Sequence, residues 1–256
     1  MYQTRKVLRQ TEICKDVYSM EILTEDMAAQ SQPGQFVMIK SWEGIDPFLM
    51  RPISINSVDR ERGTLTLLYK RVGKGTGLLA RQKDGGAVTV LGPLGKGFPI
   101  PRGARRVAIL GRGIGIAPLR FLLEECRRQG IEVCAYLSAK SSDFLFHQAY
   151  FQSLGAVVQA TTDPNENIAD RFAADAAKAP FDAAYSCGSN RLARAMKAVH
   201  QQYGFPAYVS LEEHMACGIG ACKGCVCTAY EKADCSEQYV RVCKSGPVFD
   251  VERVVK

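Results

Sequence analysis

The chain has 256 residues, 46% hydrophobic and 23% charged, with a formal net charge of +7. That is an ordinary globular composition, with length for about two domains and a small appendage. It contains no basic run interleaved with aromatics, as nucleic-acid binding would want, and no apolar stretch near the ~18 residues of a membrane span.

Residues 1 to 100 read as β. Val17–Leu23 alternates at strand period, and Gln35–Ile39 follows the turn pair Pro33-Gly34. Ile53–Val58, Thr64–Tyr69 and Ala87–Leu91 complete the clear strands, with one short helical piece near Gly77–Arg81. Short strands separated by Gly and Pro turns predict a small antiparallel barrel. Within it, Arg51-Pro52-Ile53-Ser54 sets a cation and a hydroxyl at a strand start, and Arg suits a bidentate grip on phosphate. Lys70 and the loop Gly73–Gly77, whose Thr76 and free N–H groups open a short helix, form a second anion candidate.

Beyond about residue 101 short apolar strands alternate with helices. The strands are Val107–Leu110, Glu132–Leu137, Val157–Ala160 and Asp182–Ser186; the helices are Pro118–Gln129, Asp143–Ser153, Ile168–Lys178 and one ending at Tyr203. This order predicts a doubly wound parallel sheet. Gly111, Gly113 and Gly115 lie between a strand and a helix, where glycines let backbone N–H groups approach a pyrophosphate. Arg112 inside that loop is either a phosphate contact or a solvated side chain. Cys187-Gly188 follows another strand at the same sheet edge; a nicotinamide neighbour and a structural thiol are both open there.

The segment from Val209 holds the most specific signal. Cys217, Cys222 and Cys225 follow a C-x4-C-x2-C pattern, and Cys243 follows after a gap, the plant-type spacing for a 2Fe–2S cluster. A structural zinc site including Cys227 is the alternative, though zinc more often takes two C-x2-C pairs. Of the ten cysteines, Cys14, Cys126, Cys134, Cys187, Cys227 and Cys235 are scattered, several in apolar segments. With no apolar signal-peptide core after Met1–Lys6, a reducing cytoplasm is expected. His147, His200 and His214 are isolated, and no Ser–His–Asp set, paired carboxylates or HExxH motif stands out.

Taken together, these motifs resemble the electron-transfer subunits of class 1B dihydroorotate dehydrogenases, a branch of the ferredoxin reductase-like flavoproteins. The resemblance runs through Arg51–Ile55, Leu68–Thr76, Leu91–Phe98, Gly111–Pro118, Ser210–Cys217 and Val242–Phe249. It implies an α+β multidomain chain: an FAD-binding antiparallel β-barrel at 1–100, an NAD-binding α/β doubly wound domain at 101–208, and a small 2Fe–2S domain at 209–256. By motif match, Arg51, Pro52, Ile53, Ser54, Leu68, Tyr69, Lys70, Gly75 and Thr76 would hold FAD. Gly111, Gly113, Ile114, Gly115, Cys187 and Gly188 would hold NAD, and Cys217, Cys222, Cys225 and Cys243 the cluster. No side-chain acid or base is called for. Arg112 stands where Gly is common and Ser189-Asn190 where Pro is frequent, and Lys140-Ser141 leave NADP open. The implied partner is an FMN-containing barrel subunit that oxidises dihydroorotate, in a two-plus-two heterotetramer serving pyrimidine synthesis. Ferredoxin:NAD(P) reductases and diaphorase subunits of hydrogenases or sulfide reductases share the same modules. A zinc-stapled nucleotide-binding regulator is the reading from another class.

Overall fold

The computed structural model describes residues 2–231 and 236–255. The first six strands are β1 (Gln3–Cys14), β2 (Val17–Leu23), β3 (Phe36–Lys40), β4 (Arg51–Asp59), β5 (Thr64–Lys70) and β6 (Ala87–Leu94); α1 (Glu25–Gln30) follows β2 and α2 (Lys74–Ala80) follows β5. They close a barrel in the order β1-β2-β5-β4-β3-β6, every pairing antiparallel. Its filling is apolar: Val7, Met20, Ile22, Val37, Ile39, Ile55, Leu65, Leu67 and Val90 are buried together. Each such side chain contributes about 1.5–3 kcal/mol through removal from water.

Strand β4 carries a bulge that matters below. Its pairing with β5 advances from Ile55 to Ser57 while the partner moves only from Leu67 to Thr66. Asn56 is therefore the extra residue.

The second unit contains β7 (Arg106–Arg112), α3 (Ala117–Arg128), β8 (Glu132–Ser138), α4 (Gln148–Ser153), β9 (Val157–Thr161), α5 (Ile168–Lys178), β10 (Ala183–Cys187), α6 (Asn190–Tyr203) and β11 (Ala207–Ser210). Both faces of its sheet are covered, which is why its strands read as unbroken apolar runs. Val107, Ile109, Val133 and Ala135 pack against Leu119, Leu122 and Leu123 of α3. Ala108, Leu110 and Tyr136 pack against Phe172 of α5 and Met196 of α6.

After β11 the chain leaves the sheet. It forms the cysteine loop, the hairpin β12 (Val226–Tyr230) and β13 (Glu237–Arg241), and the turn of helix α7 (Val242–Ser245). It then returns as β14 (Val248–Asp250), antiparallel to β11, and ends in α8 (Val251–Val254). The sheet order is thus β14-β11-β10-β7-β8-β9. The expected boundary at 208/209 falls inside β11, because Phe249 and Val251, far along the chain, are needed to finish the buried layers.

Two further differences have local causes. The helix expected over Asp143–Ser153 is interrupted: a tight turn at Ser142–Phe144 precedes α4, and His147 between them has a left-handed φ of 64°. β1 has no clear sequence signal because only Val7 of its twelve residues is fully buried. Among the described residues, no helix is long and apolar enough to cross a membrane.

Candidate functional site

The strand order reverses direction between β7 and β10, so their carboxyl ends form a crevice, the usual ligand position in such sheets. Gly113, with φ of 54°, opens a tight turn over Gly113–Ile116 that runs into α3, where Pro118 sits in the first helical turn. Gly111 lets this turn fold back, since a Cβ there would lie 2.8 Å from Ile116 Cγ1. Gly115 lies against the other strand end, where a Cβ would stand 2.7 Å from the Cys187 carbonyl oxygen. Arg112 is exposed and donates to Ser138 Oγ, 3.4 Å away at the end of β8.

Cys187 closes β10 and is buried; its Sγ lies 4.0 Å from Glu212 Oε1. Burial first, and then the neighbouring Glu212, push the thiol well above its ordinary range, so it stays neutral. The surrounding protein likewise raises the Glu212 carboxyl.

Beside the crevice lies a cavity of about 320 Å³. The barrel supplies Arg51, Pro52, Ile53 and Ser54 from β4 and Leu68, Tyr69 and Lys70 from β5, with Thr76 from α2. Ile114, Ala117 and Pro118 form a second wall, and Ser210 to Glu213 with Met215 a third. Arg51 is held over Trp42 at 5.6 Å and donates to the Leu49 carbonyl at 2.6 Å. Gly75 leaves room for that guanidinium: a Cβ on it would come 2.4 Å from Arg51 Nε. Tyr69 accepts a hydrogen bond from Gln10 Nε2 at 2.7 Å, and burial pushes its hydroxyl up to about 12. Lys70 Nζ stands 5.6 Å from the Phe144 ring centroid.

The N–H groups before α2 are not free: Thr76 Oγ1 accepts from Val72 N at 3.0 Å and Gly73 N at 3.2 Å. Thr76 therefore ties together the loop that leads into α2.

The cysteine segment packs against β3 and β6 of the barrel, on Phe36, Met38, Leu91 and Leu94. Gly218 and Gly220 have φ of 70° and 85°, and Lys223 has φ of 58°. A Cβ on Gly218 would come 2.5 Å from Met38 Cγ of β3, so only glycine permits this approach. Arg241 Nη1 donates to the Gly220 carbonyl at 2.7 Å and braces the loop. The backbone aims donors at sulfur: Cys222 N to Cys217 Sγ, Gly224 N to Cys222 Sγ and Cys243 N to Cys225 Sγ, each 3.4 Å. Burial opposes ionisation of Cys217, but the N–H groups of Cys222, Ile219 and Ala221 prevail and lower it to about 6. Burial and neighbouring Cys225 instead raise Cys243. The N–H groups aimed at Cys217, Cys222 and Cys225 suit anionic sulfur of the kind a thiolate-ligated cluster presents. Cys225 and Cys243 are buried and Cys222 is exposed. Cys227 is half-buried on β12, its thiol raised by burial and by Glu213. Cys235 lies outside the described residues.

Of the residues singled out from sequence, Arg51–Ser54, Leu68–Lys70, Thr76 and Ile114 share the cavity. Gly75 backs Arg51, while Gly111, Gly113, Gly115, Cys187 and Gly188 form the adjoining crevice. The third wall, Ser210–Glu213 and Met215, escaped sequence reasoning as lining. The stretch Ser210–Cys217 carries part of the family resemblance, but that resemblance gave these residues no place in the cavity.

The fold is that of the ferredoxin reductase-like flavoproteins. It superposes on a structure of an NADH-dependent reduced ferredoxin–NADP oxidoreductase with a TM-score of 0.82 at 25% identity, covering 98% of this chain and 89% of that one. It also matches a ferredoxin NADP+ reductase from Neisseria gonorrhoeae, solved with bound FAD and NADP, at TM-score 0.62 and 18% identity, over 79% of this chain and 92% of that one. Residues 212–255 match the family model of the iron–sulfur cluster binding domain of dihydroorotate dehydrogenase B. The electron transfer subunit of dihydroorotate dehydrogenase B (NAD(+)) from Bacillus cereus (strain Q1) is 40% identical over 262 residues, 99% of this chain and 98% of that one. The homologous subunit from Bacillus anthracis (strain CDC 684 / NRRL 3495) matches equally. The chain belongs to the family of dihydroorotate dehydrogenase B (NAD(+)) electron transfer subunits.

Proposed function

We propose that this chain passes electrons from a catalytic dihydroorotate dehydrogenase subunit to NAD+, using a 2Fe–2S cluster and FAD that it holds itself. One observation carries the reading: a single cavity is walled by Arg51–Ser54 of β4, by Ile114 of the glycine loop with Ala117 at the start of α3, and by Glu212, Glu213 and Met215 leading into the cysteine loop. When bound, the cluster exchanges single electrons, nicotinamide exchanges a hydride, and a flavin does both.

The chain's own residues then have separable tasks. Arg51, Pro52, Ile53 and Ser54 grip the flavin and its pyrophosphate, with Leu68, Tyr69, Lys70, Gly75 and Thr76 completing that site. Gly111, Gly113, Ile114 and Gly115 receive the dinucleotide, and Cys187 and Gly188 keep the floor of its crevice narrow and uncharged. Cys217, Cys222, Cys225 and Cys243 ligate the cluster. On this reading 1–100, 101–208 and 209–256 are the flavin, nicotinamide and cluster domains, the last keeping its edge strand in the middle one. The partner is an FMN-containing barrel subunit in a two-plus-two assembly in the cytoplasm.

The test is co-purification with that subunit. Iron, acid-labile sulfide and FAD in the complex, with dihydroorotate-dependent reduction of NAD+, would support the assignment. Reduction of NAD+ from ferredoxin but never from dihydroorotate would move the chain to the ferredoxin:NAD(P) reductases, which the structural likeness to such an enzyme keeps as the second reading. Stoichiometric zinc in a colourless protein would sink both.

A further inference from the structure

The cavity residues Arg51–Ser54 are followed almost at once by Asn56 and Ser57. Regular alternation would send one of these into the barrel and the other out. The bulge at Asn56 sends both toward the second unit. Ser57 Oγ donates to Glu124 Oε2 of α3 at 2.6 Å. Asn56 is 1% exposed, and its Nδ2 lies 2.7 Å from the carbonyl oxygen of Ala117, the first residue of α3, and 3.0 Å from His147 Nε2.

The Ala117 carbonyl can only accept, which fixes the Asn56 amide with its NH2 toward α3. The second amide hydrogen then meets His147 Nε2 as an acceptor, leaving the ring proton on Nδ1. His147 reaches this position through the left-handed break before α4.

Ala117 directly follows the Gly113–Ile116 turn and lines the same cavity as Arg51–Ser54. One amide group thus joins the strand of one proposed ligand site to the helix start of the other. We infer that Asn56 is a positioning residue for hydride transfer: it fixes the spacing between Arg51–Ser54 and the Gly113–Ile116 turn, with His147 holding its amide. This rests on the dinucleotide reading of the glycine loop. Hydride transfer needs the reacting atoms about 3–3.5 Å apart, and a misplacement of about 1 Å costs on the order of a hundredfold in rate. Asn56 is not among the residues assigned to either ligand, so its loss acts on rate and not on cofactor content.

The deciding experiment compares Asn56→Asp, which keeps the shape but replaces both donors, with Asn56→Ala and His147→Gln in the complete protein. Both Asn56 variants are expected to retain FAD, iron and sulfide. Anaerobic rapid mixing at saturating NADH should show flavin reduction slowed about ten- to a hundredfold. Hydrogen exchange in peptides spanning 113–123 should quicken. His147→Gln, which preserves an acceptor, should stay much closer to the parent in both measurements. Parental rate and exchange in Asn56→Asp would overturn the inference alone. A slowing matched by lost FAD, or one that disappears at saturating NADH, would also overturn it, since Asn56 would then act on flavin retention or on NADH binding. Failure of NADH to reduce the parent protein's flavin would overturn the dinucleotide reading and this inference with it.

Discussion

Gly115 and Gly188 meet backbone to backbone: a Cβ on Gly115 would lie 2.4 Å from the Gly188 Cα, and one on Gly188 would lie 2.7 Å from the Gly115 Cα. Two loops that arise far apart in the chain are thereby closed onto each other, and neither tolerates a methyl group. Overpacking of this kind costs about 1–3 kcal/mol. Gly115→Ala should weaken NADH binding at least about tenfold, the equivalent of ~1.4 kcal/mol, while leaving iron and flavin content intact. Gly188→Ala, which adds strain at a φ of 86°, should be the more damaging. Equilibrium titration with NADH, beside cofactor analysis, checks both.

Gly75 makes a parallel case on the barrel side. Its missing Cβ is the space that the Arg51 guanidinium occupies. Gly75→Ala should displace that guanidinium and lower FAD retention through gel filtration, with a smaller effect than Arg51→Ala, which removes the cation outright. Equal retention in all three proteins would show that Arg51 does not grip the flavin.

Single Cys→Ser changes separate ligands from bystanders. Cys217→Ser, Cys222→Ser, Cys225→Ser and Cys243→Ser should each lose iron and sulfide. Cys227→Ser and Cys235→Ser should retain them, as read by iron analysis and the visible spectrum. Cys225→Ser and Cys243→Ser should also lower thermal stability more than Cys222→Ser, because both side chains are buried with Val242 and Phe249 while Cys222 is exposed. Cluster retention in Cys243→Ser, with loss in Cys227→Ser, would reassign the fourth ligand.

His147 predicts a pH dependence of stability. Burial, helped by the nearby Arg120 cation, lowers it from 6.5 to about 3. The unfolded chain binds a proton near the ordinary value while the folded chain does not until about 3. The stability lent by the neutral ring is therefore complete above the unfolded value and drains away as pH falls through that window. Urea midpoints measured between pH 7.5 and 5 should fall less steeply in His147→Gln than in the parent. Parallel lines would show that the ring protonates freely in place.

The cysteine spacing was legible because iron coordination leaves its arithmetic in the chain. The parallel sheet was legible because strands buried on both faces become continuous apolar runs, as in Val107–Leu110. β1 was less so, since its long polar side chains cover the barrel's outside and only Val7 is fully buried. The break before α4 was hidden because Phe144, Phe146 and Phe151 keep an apolar pattern through a left-handed His147. Glu212 and Met215 lie in the Ser210–Cys217 stretch, which marks the family without giving either a place in the cavity. They become cavity walls only because β11 ends beside β10, a relationship set by pairing across the sheet. Asn56 was equally silent: a bulge is a property of two strands in register, and one strand's sequence does not reveal it.

The return of the chain as β14 makes the order of synthesis matter. The glycine crevice belongs to a sheet whose outer edge is supplied by Val248–Asp250, a strand that follows the cysteine loop in the chain. That edge can therefore close only after the cysteine loop has left the ribosome. Every cysteine of the loop has by then emerged, and metal loading can proceed before, or together with, the final docking of the edge. A truncation just before the cysteine loop should yield an aggregation-prone sheet with an open flank, not a trimmed flavoprotein. In this topology the cysteine loop is strung between two neighbouring strands of the second unit's sheet, β11 and β14, so both its ends are fixed only once that sheet is complete.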